Sequence, residues 1–341
     1  MSSFSATARR AISDATHLLS AAGVDSAAAD ARLLMQYALA EPATVQRAQP
    51  ELPRVPVDSG ELFLRADDPT PAIFEQWVAR RAQREPLQHI VGATHFLGLD
   101  LFCAPGGFIP RPETELLVDH VAGKIRSRVA HMRSTPLGRE LFDRNITVVD
   151  VCTGPGTIAL ALGHQLHDLA ESGVSLTIVG LEKSAAALDL ARANEEATRA
   201  RGAFGPATTF RWIPMDIAEP GRLAQHKLVA VADVVVSNPP YVPGQAEVDP
   251  EVHADPPEAV FSGDDGLELM PHVIRTCDLL SAPQAFVAIE HDESHGDQVV
   301  RLMESAGMSK ARLHQDFTGR DRFSTASVQR SPAFVPPRVP L

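Results

Sequence analysis

The chain is short of cysteine, of positive charge and of long apolar runs, and each shortage excludes something. Three cysteines, Cys103, Cys152 and Cys277, are widely spaced and odd in number, which speaks against a disulfide framework or a zinc knuckle. A reducing cytoplasm is therefore the expected compartment. No stretch approaches the roughly 18 apolar residues of a membrane span, and the N-terminus has no apolar signal core. Membrane association and export are not expected. Lys and Arg number 31 against 43 Asp and Glu, a formal net charge of −12. A broad footprint on duplex DNA needs clustered basic residues, so no stable nucleic-acid binding is expected and a protein partner is favoured. No internal repeat is visible, and no Ser-His-Asp or Cys-His set stands out. His291 and His295 have the i, i+4 spacing of a metal pair on a helix, but a polar helix start accounts for them better, so no metal is expected.

What is present begins with enough apolar material for two cores: 44% of 341 residues. Residues 4–40 and 70–84 have helical spacing, separated by a proline-rich stretch, 41–71, expected to be an irregular connector. Arg80-Arg81-Ala-Gln-Arg84 ends the second of these and could face an acidic partner, or simply complement a helix C-terminus. Thr94–Cys103 alternates apolar and polar residues like a hairpin. Leu166–Gly173 and Ala197–Pro206 read as surface connections. The pattern divides the chain into a helical domain over 1–86, a hairpin-like linker over 87–105, a main domain over 106–330 and a proline-rich mobile tail over 331–341.

The main domain carries the chemistry. Thr147–Val151 reads as a strand, Cys152-Thr-Gly-Pro-Gly156 as a tight loop, and Thr157–Leu162 as the start of a helix. Strand, glycine loop and helix N-terminus together make a nucleotide-type cradle, since glycines admit close backbone approach and the helix end offers N–H groups. A second strand, Leu176–Leu181, ends in Glu182, about where an acid grips ribose hydroxyls in such folds. A third strand-like segment, Thr209–Ile213, precedes Asp216 and Ile217, and Asp216 could bind an adenine edge. Farther on, Asp233-Val-Val-Val236 runs into Ser237-Asn-Pro-Pro-Tyr-Val-Pro243. In an open α/β sheet this strand end faces a ligand crevice. Pro239 and Pro240 hold the surrounding backbone carbonyls rigid, and the Asn238 side-chain oxygen and the Pro239 carbonyl can each accept one N–H of a planar –NH2 group, with the Tyr241 ring over one face.

Asp150-Val-Cys-Thr-Gly-Pro-Gly156, Glu182 and Asn238-Pro-Pro-Tyr241 resemble the cofactor loop, ribose acid and amino-methylation motif of class I S-adenosylmethionine-dependent methyltransferases. Arg84–Gly92, Phe108-Ile-Pro-Arg-Pro-Glu-Thr-Glu-Leu-Leu-Val118, Asp255-Pro256 with Gly263–Leu267, Ala288-Ile-Glu290 and Thr318–Arg322 narrow this. In order and spacing they resemble the peptide-chain-release-factor glutamine N5-methyltransferases over about residues 10–328. The resemblance implies a Rossmann-like α/β fold with a mostly parallel, doubly wound sheet, a small helical N-terminal domain for substrate recognition and a hairpin linker. It implies S-adenosyl-L-methionine as cofactor, held by Asp150, Cys152, Thr153, Gly154, Pro155, Gly156, Glu182, Asp216, Ile217 and Asn238. It implies catalysis at Asn238, Pro239, Pro240 and Tyr241, and substrate contacts from these with Arg111, Glu113 and Thr114. The implied partners are class I peptide chain release factors, met by a monomer. A ribosomal-protein glutamine, a DNA or RNA amino group, or a binding module without activity are the alternatives. Three places depart from the family pattern: Cys152 stands where a loop glycine is usual, Pro155 where a small polar residue is usual, and His291-Asp-Glu-Ser-His295, after Glu290, where small residues are usual. A cysteine is expected to keep an ordinary φ there, and Pro155 removes an N–H donor.

Overall fold

A computed structural model describes residues 7–40, 52–134, 145–171 and 173–329. It divides into two compact units, one of Met1–Pro105 with Val248–Asp255 and the other of Gly106–Glu247 with Pro256–Leu341. The proline-rich tail expected at 331–341 lies outside the described residues.

The first unit is helical. Helix α1 (Ala8–Ala21) buries Ala8, Ala11, Ala15 and Leu19, a stripe at spacings of three and four. These small side chains share a core with Leu34 and Met35 of α2 (Ala27–Leu39) and with Phe74 and Val78 of α4 (Ala72–Arg81). Among its described residues the expected connector holds one further helix, α3 (Ser59–Leu64), started where the Asp58 side chain accepts from the Glu61 N–H at 2.8 Å. Six residues are too few to display a helical period, which is why the pattern misses it. A short α5 (Leu87–Val91) leads into the hairpin of β1 (Ala93–Phe96) and β2 (Leu99–Phe102), joined by Leu97 and Gly98 with φ of 46° and 83°. Two successive positive φ values suit the two-residue turns that follow strand twist.

The basic run at the end of α4 finds its acidic partners within the unit. Arg80 pairs with Glu85. Arg81 meets Asp30 at 2.6 Å and Glu251 at 2.8 Å, and Arg84 grips both oxygens of Glu251 at 2.7 and 2.6 Å. The Arg84 fork, more than any other contact, holds the Glu251 carboxyl down at about 2. Glu251 belongs to Val248–Asp255, the stretch that returns from far along the chain to complete this unit.

The second unit is a seven-stranded sheet in the order β5-β4-β3-β6-β7-β9-β8. Strands β3 (Asn145–Val151), β4 (Ser175–Glu182), β5 (Thr208–Pro214), β6 (Ala232–Ser237) and β7 (Ser281–Glu290) run parallel, and β9 (Asp321–Ser327) pairs antiparallel with both β7 and β8 (Ser309–Gln315). Val148, Val149, Val151, Val234, Val235 and Val236 are buried, the continuous apolar reading of strands covered on both faces. Around the sheet lie α6 (Glu113–Ser134), α7 (Thr157–Gln165), α8 (His167–Glu171), α9 (Ala185–Ala200), α10 (Pro257–Val260), α11 (Met270–Leu280) and α12 (Gly296–Ser305). Two expected surface connections are partly helical. Leu166 is fully buried ahead of α8, and Ala197–Ala200 complete α9, which continues until Gly202 takes φ of 71°. The chain leaves β3 toward β4 on one side and returns to place β6 on the other, so the direction of winding reverses between β3 and β6. Ligands of doubly wound sheets bind outside the carboxyl ends of strands at such a reversal.

Candidate active site

Both motifs meet at that reversal, since Val151 pairs with Ser237 and the Ser237 hydroxyl donates to the Val151 carbonyl at 2.7 Å. On the β3 side the loop is tied to β4. The Thr153 N–H bonds the Leu181 carbonyl at 3.0 Å. Glu182 accepts from the Gly154 N–H at 3.0 Å through one oxygen and from the Ser184 N–H at 2.8 Å through the other. These bonds orient the carboxylate beside the loop, and each oxygen keeps a second lone pair for a hydroxyl donor.

Two glycines of the loop serve different ends. A Cβ on Gly156, at φ of 82°, would lie 2.9 Å from the Trp212 ring, so this glycine seats the loop on β5. A Cβ on Gly154, at φ of 55°, would meet nothing within 4 Å, so this glycine borders open space. The Pro155 carbonyl accepts from the fully buried Asn194 amide at 3.2 Å. Cys152 takes φ of 60° rather than the ordinary value expected of it. The left-handed backbone of a glycine is retained there with a side chain attached, at a cost of roughly 1–2 kcal/mol. Burial, before the nearby carboxylates, pushes its thiol far up, which keeps it protonated and unreactive.

Asp150 is wholly buried at the end of β3. One oxygen accepts from the Thr153 hydroxyl at 2.5 Å and from the Ala159 N–H at 3.2 Å, while the other finds no partner among the described residues. Burial outweighs those two bonds and pushes the carboxyl up to about 7. Asp216 follows β5 and caps its own turn, accepting from the Ala218 N–H at 2.9 Å. Ile217 packs into the core with Leu223 and Leu228, so what it can offer a ligand is backbone.

On the β6 side Pro239 is buried, while Asn238, Pro240 and Tyr241 are half-buried. The Asn238 amide nitrogen donates to the Thr114 hydroxyl at 3.2 Å. Thr114 donates to Glu290 at 3.2 Å, and the Tyr241 hydroxyl donates to the same Glu290 oxygen at 3.1 Å. Of the three residues expected on α6 and just before it, Thr114 is buried and bonds Asn238. Glu113 stands exposed at the helix start, and the Arg111 guanidinium lies 4.9 Å from the Phe108 ring centre. Glu290 is the residue that motif reading left without a role. Burial pushes its carboxyl up to about 7, against the pull of Thr114 and Tyr241. An acidic residue closing a strand of otherwise apolar side chains, Ala285–Ile289, was the signal available for it. Gly266 was missed too. A Cβ there would lie 2.3 Å from the Tyr241 carbonyl and 2.8 Å from the His295 ring, so the Gly263–Leu267 loop closes on the tyrosine only with glycine at this point. His291 and His295 precede α12 rather than sharing one of its faces, and His291 bonds the Ser324 hydroxyl at 2.9 Å. No cluster of metal-ligating side chains occurs among the described residues.

A parallel sheet reversing between β3 and β6, an antiparallel β9–β8 edge and a glycine loop at the first strand of the sheet define a class I methyltransferase. Residues 10–92 match the family described as the PrmC N-terminal domain. A release factor glutamine methyltransferase of Corynebacterium glutamicum is 36% identical over 94% of this chain and 98% of its own length. The 4-amino-L-phenylalanine/4-methylamino-L-phenylalanine methyltransferase of Streptomyces pristinaespiralis is 32% identical over 90% of each. Among solved structures, a release-factor-specific protein-(glutamine-N5) methyltransferase from Alicyclobacillus acidocaldarius aligns with 65% of this chain and 95% of its own at 19% identity and a TM-score of 0.33. The chain belongs to the release factor glutamine methyltransferase family. No helix among the described residues is long and apolar enough to cross a membrane.

Proposed function

We propose that this enzyme moves a methyl group from S-adenosylmethionine to the side-chain amide nitrogen of the glutamine in the Gly-Gly-Gln motif of class I peptide chain release factors. One observation carries the reading: Asn238 turns its amide nitrogen to Thr114, which leaves its oxygen as the group offered to a substrate N–H. A carboxamide nitrogen is a poor nucleophile because its lone pair is delocalised into the carbonyl. Asn238 Oδ1 and the Pro239 carbonyl, both held by the fold, accept its two N–H bonds, favour pyramidalisation and stabilise the positive charge that grows on nitrogen. The Tyr241 ring, pinned through its hydroxyl, walls one face. The cofactor supplies an activated methyl on a sulfonium. The residues present suit it, with Gly154 bordering open space, the Glu182 carboxylate oriented for ribose hydroxyls, and Asp216 at the next strand end. Alignment of the acceptor against the methyl can contribute roughly 7–11 kcal/mol. The proton leaves after transfer, so no general base is needed in advance.

The test is incubation with labelled cofactor and, separately, purified class I release factors, ribosomal proteins, DNA and 4-amino-L-phenylalanine. Label on the release-factor glutamine is the expected result. Label on the aromatic amine alone would move the reading to a small-molecule acceptor.

A further inference from the structure

Four side chains from three elements form one hydrogen-bonded chain behind the acceptor pocket: Asn238 after β6, Thr114 in the first turn of α6, Glu290 at the end of β7, and Tyr241. The direction of every bond follows from the chemistry of its members. Both hydroxyls meet Glu290 Oε1, which accepts whether the carboxyl is ionised or carries its proton on Oε2, the oxygen with no partner among the described residues, so Thr114 and Tyr241 give their protons to Oε1. Threonine has a single hydroxyl proton. With that proton committed, its oxygen can only accept, and Asn238 must present –NH2 to it rather than C=O. The amide oxygen is thereby turned away from Thr114, in the orientation an N–H acceptor requires.

Resting on the acceptor role given to Asn238 above, we propose that Glu290 is a positioning residue that sets the orientation of the Asn238 amide through Thr114 and of the Tyr241 ring through its hydroxyl. Fold stability does not explain this residue. Glu290 is 2% exposed and one of its oxygens finds no partner among the described residues. A carboxylate buried with two hydroxyl donors and no cation bonded to it opposes folding, so its presence points to a demand of the site. A glutamine of the same size would remove that demand and lose the directionality. Its –NH2 could donate to Thr114, free the threonine proton for Asn238 Oδ1 and let the asparagine turn over.

The experiment uses the full-length enzyme with Glu290→Gln, Thr114→Val and Thr114→Ser. The Asn238 side-chain –NH2 resonances, assigned by their loss in Asn238→Ala, read the amide orientation without any substrate. They should shift in Glu290→Gln and Thr114→Val and stay near the wild-type positions in Thr114→Ser. With the methyl acceptor, kcat should fall about 10–100-fold in the first two variants, the scale of losing an outer partner that orients a functional group. Thr114→Ser should recover most of it. Cofactor Kd by calorimetric titration should not move, and Glu290→Gln should melt no lower than wild type. Unshifted Asn238 resonances or an unchanged kcat in Glu290→Gln would overturn the proposal. A joint fall of kcat, cofactor affinity and Tm would also overturn it, by reducing Glu290 to a prop of the fold. If the wild-type enzyme leaves release factors unlabelled, the substrate reading fails separately, and the resonances still decide for or against Glu290.

Discussion

At the end of β3 the surface around the glycine loop is tied together through backbone, and at the ends of β6 and β7 it is tied together through side chains. Gly154 and Ser184 hold Glu182 by their N–H groups, whereas Asn238, Thr114, Glu290 and Tyr241 hold one another by terminal atoms. The two halves therefore answer differently to a change of residue. Cys152 and Pro155 both lie in the loop, where a foreign side chain is tolerated so long as the backbone keeps its path; Cys152 keeps it at φ of 60°. On the other side a change of one atom reverses or removes a bond, and Asn238-Pro-Pro-Tyr241 stands intact.

Breaking the side-chain half should give the largest effect. Asn238→Ala removes an acceptor aimed at the nucleophile, and kcat is expected to fall about 100- to 1000-fold while cofactor affinity by calorimetry stays near wild type. A matching loss of affinity would mean that the two halves are one.

Each half also buries one carboxyl, Asp150 and Glu290, each pushed up to about 7 from ordinary values of 3.8 and 4.5. The folded value lies above the unfolded one, so each group keeps its proton longer when folded. Neither group penalises folding below about 4, and the penalty of ionising each in the folded protein grows as pH rises to about 7. Glu113 on α6 opposes ionisation of Glu290, and Arg322 on β9 favours it. The loss is about 3–4 kcal/mol per group. Urea midpoints should therefore drop between mildly acid and mildly alkaline buffer, and Asp150→Asn and Glu290→Gln should each flatten part of the slope. A slope unchanged in both variants would place the titration elsewhere.

The backbone half is probed by Glu182→Ala, which should weaken S-adenosylmethionine by about 1.5–3 kcal/mol, the range of hydrogen bonds to a charged group. An unchanged dissociation constant would show that the ribose is bound by other residues. The smallest effect is expected at Cys152→Gly. Relief of the left-handed strain, less the extra unfolded-state freedom of glycine, should stabilise the enzyme by up to about 1 kcal/mol with turnover intact. Cys152→Val, β-branched at a positive φ, should destabilise it. If glycine and valine have equal effects, the loop has moved away from that conformation.

Strands β3 to β6, the glycine loop and the acceptor motif were legible in the chain because each is a local pattern: an apolar run, a cluster of glycines, a pair of prolines. The basic run ending α4 was legible as charge but not as structure. Its partner Glu251 lies more than 160 residues on and shows nothing of itself locally. Helix α3 was hidden by its brevity, and Asn194, whose buried amide donates to the Pro155 carbonyl, carries no local sign of that role.

Sequence alone pointed to the class of chemistry here, because a rigid Asn-Pro-Pro-Tyr after a buried strand offers two candidate acceptors and an aromatic wall in consecutive residues. Tertiary structure alone decided which way the Asn238 amide faces. That orientation depends on a proton donated by Thr114 to Glu290, two residues 176 positions apart that meet because α6 begins where β7 ends. Burial raised the pKa of the carboxyl that receives it. Neither can be read locally, since the direction of a hydrogen bond and the ionisation of a carboxyl are properties of the surroundings rather than of the residue.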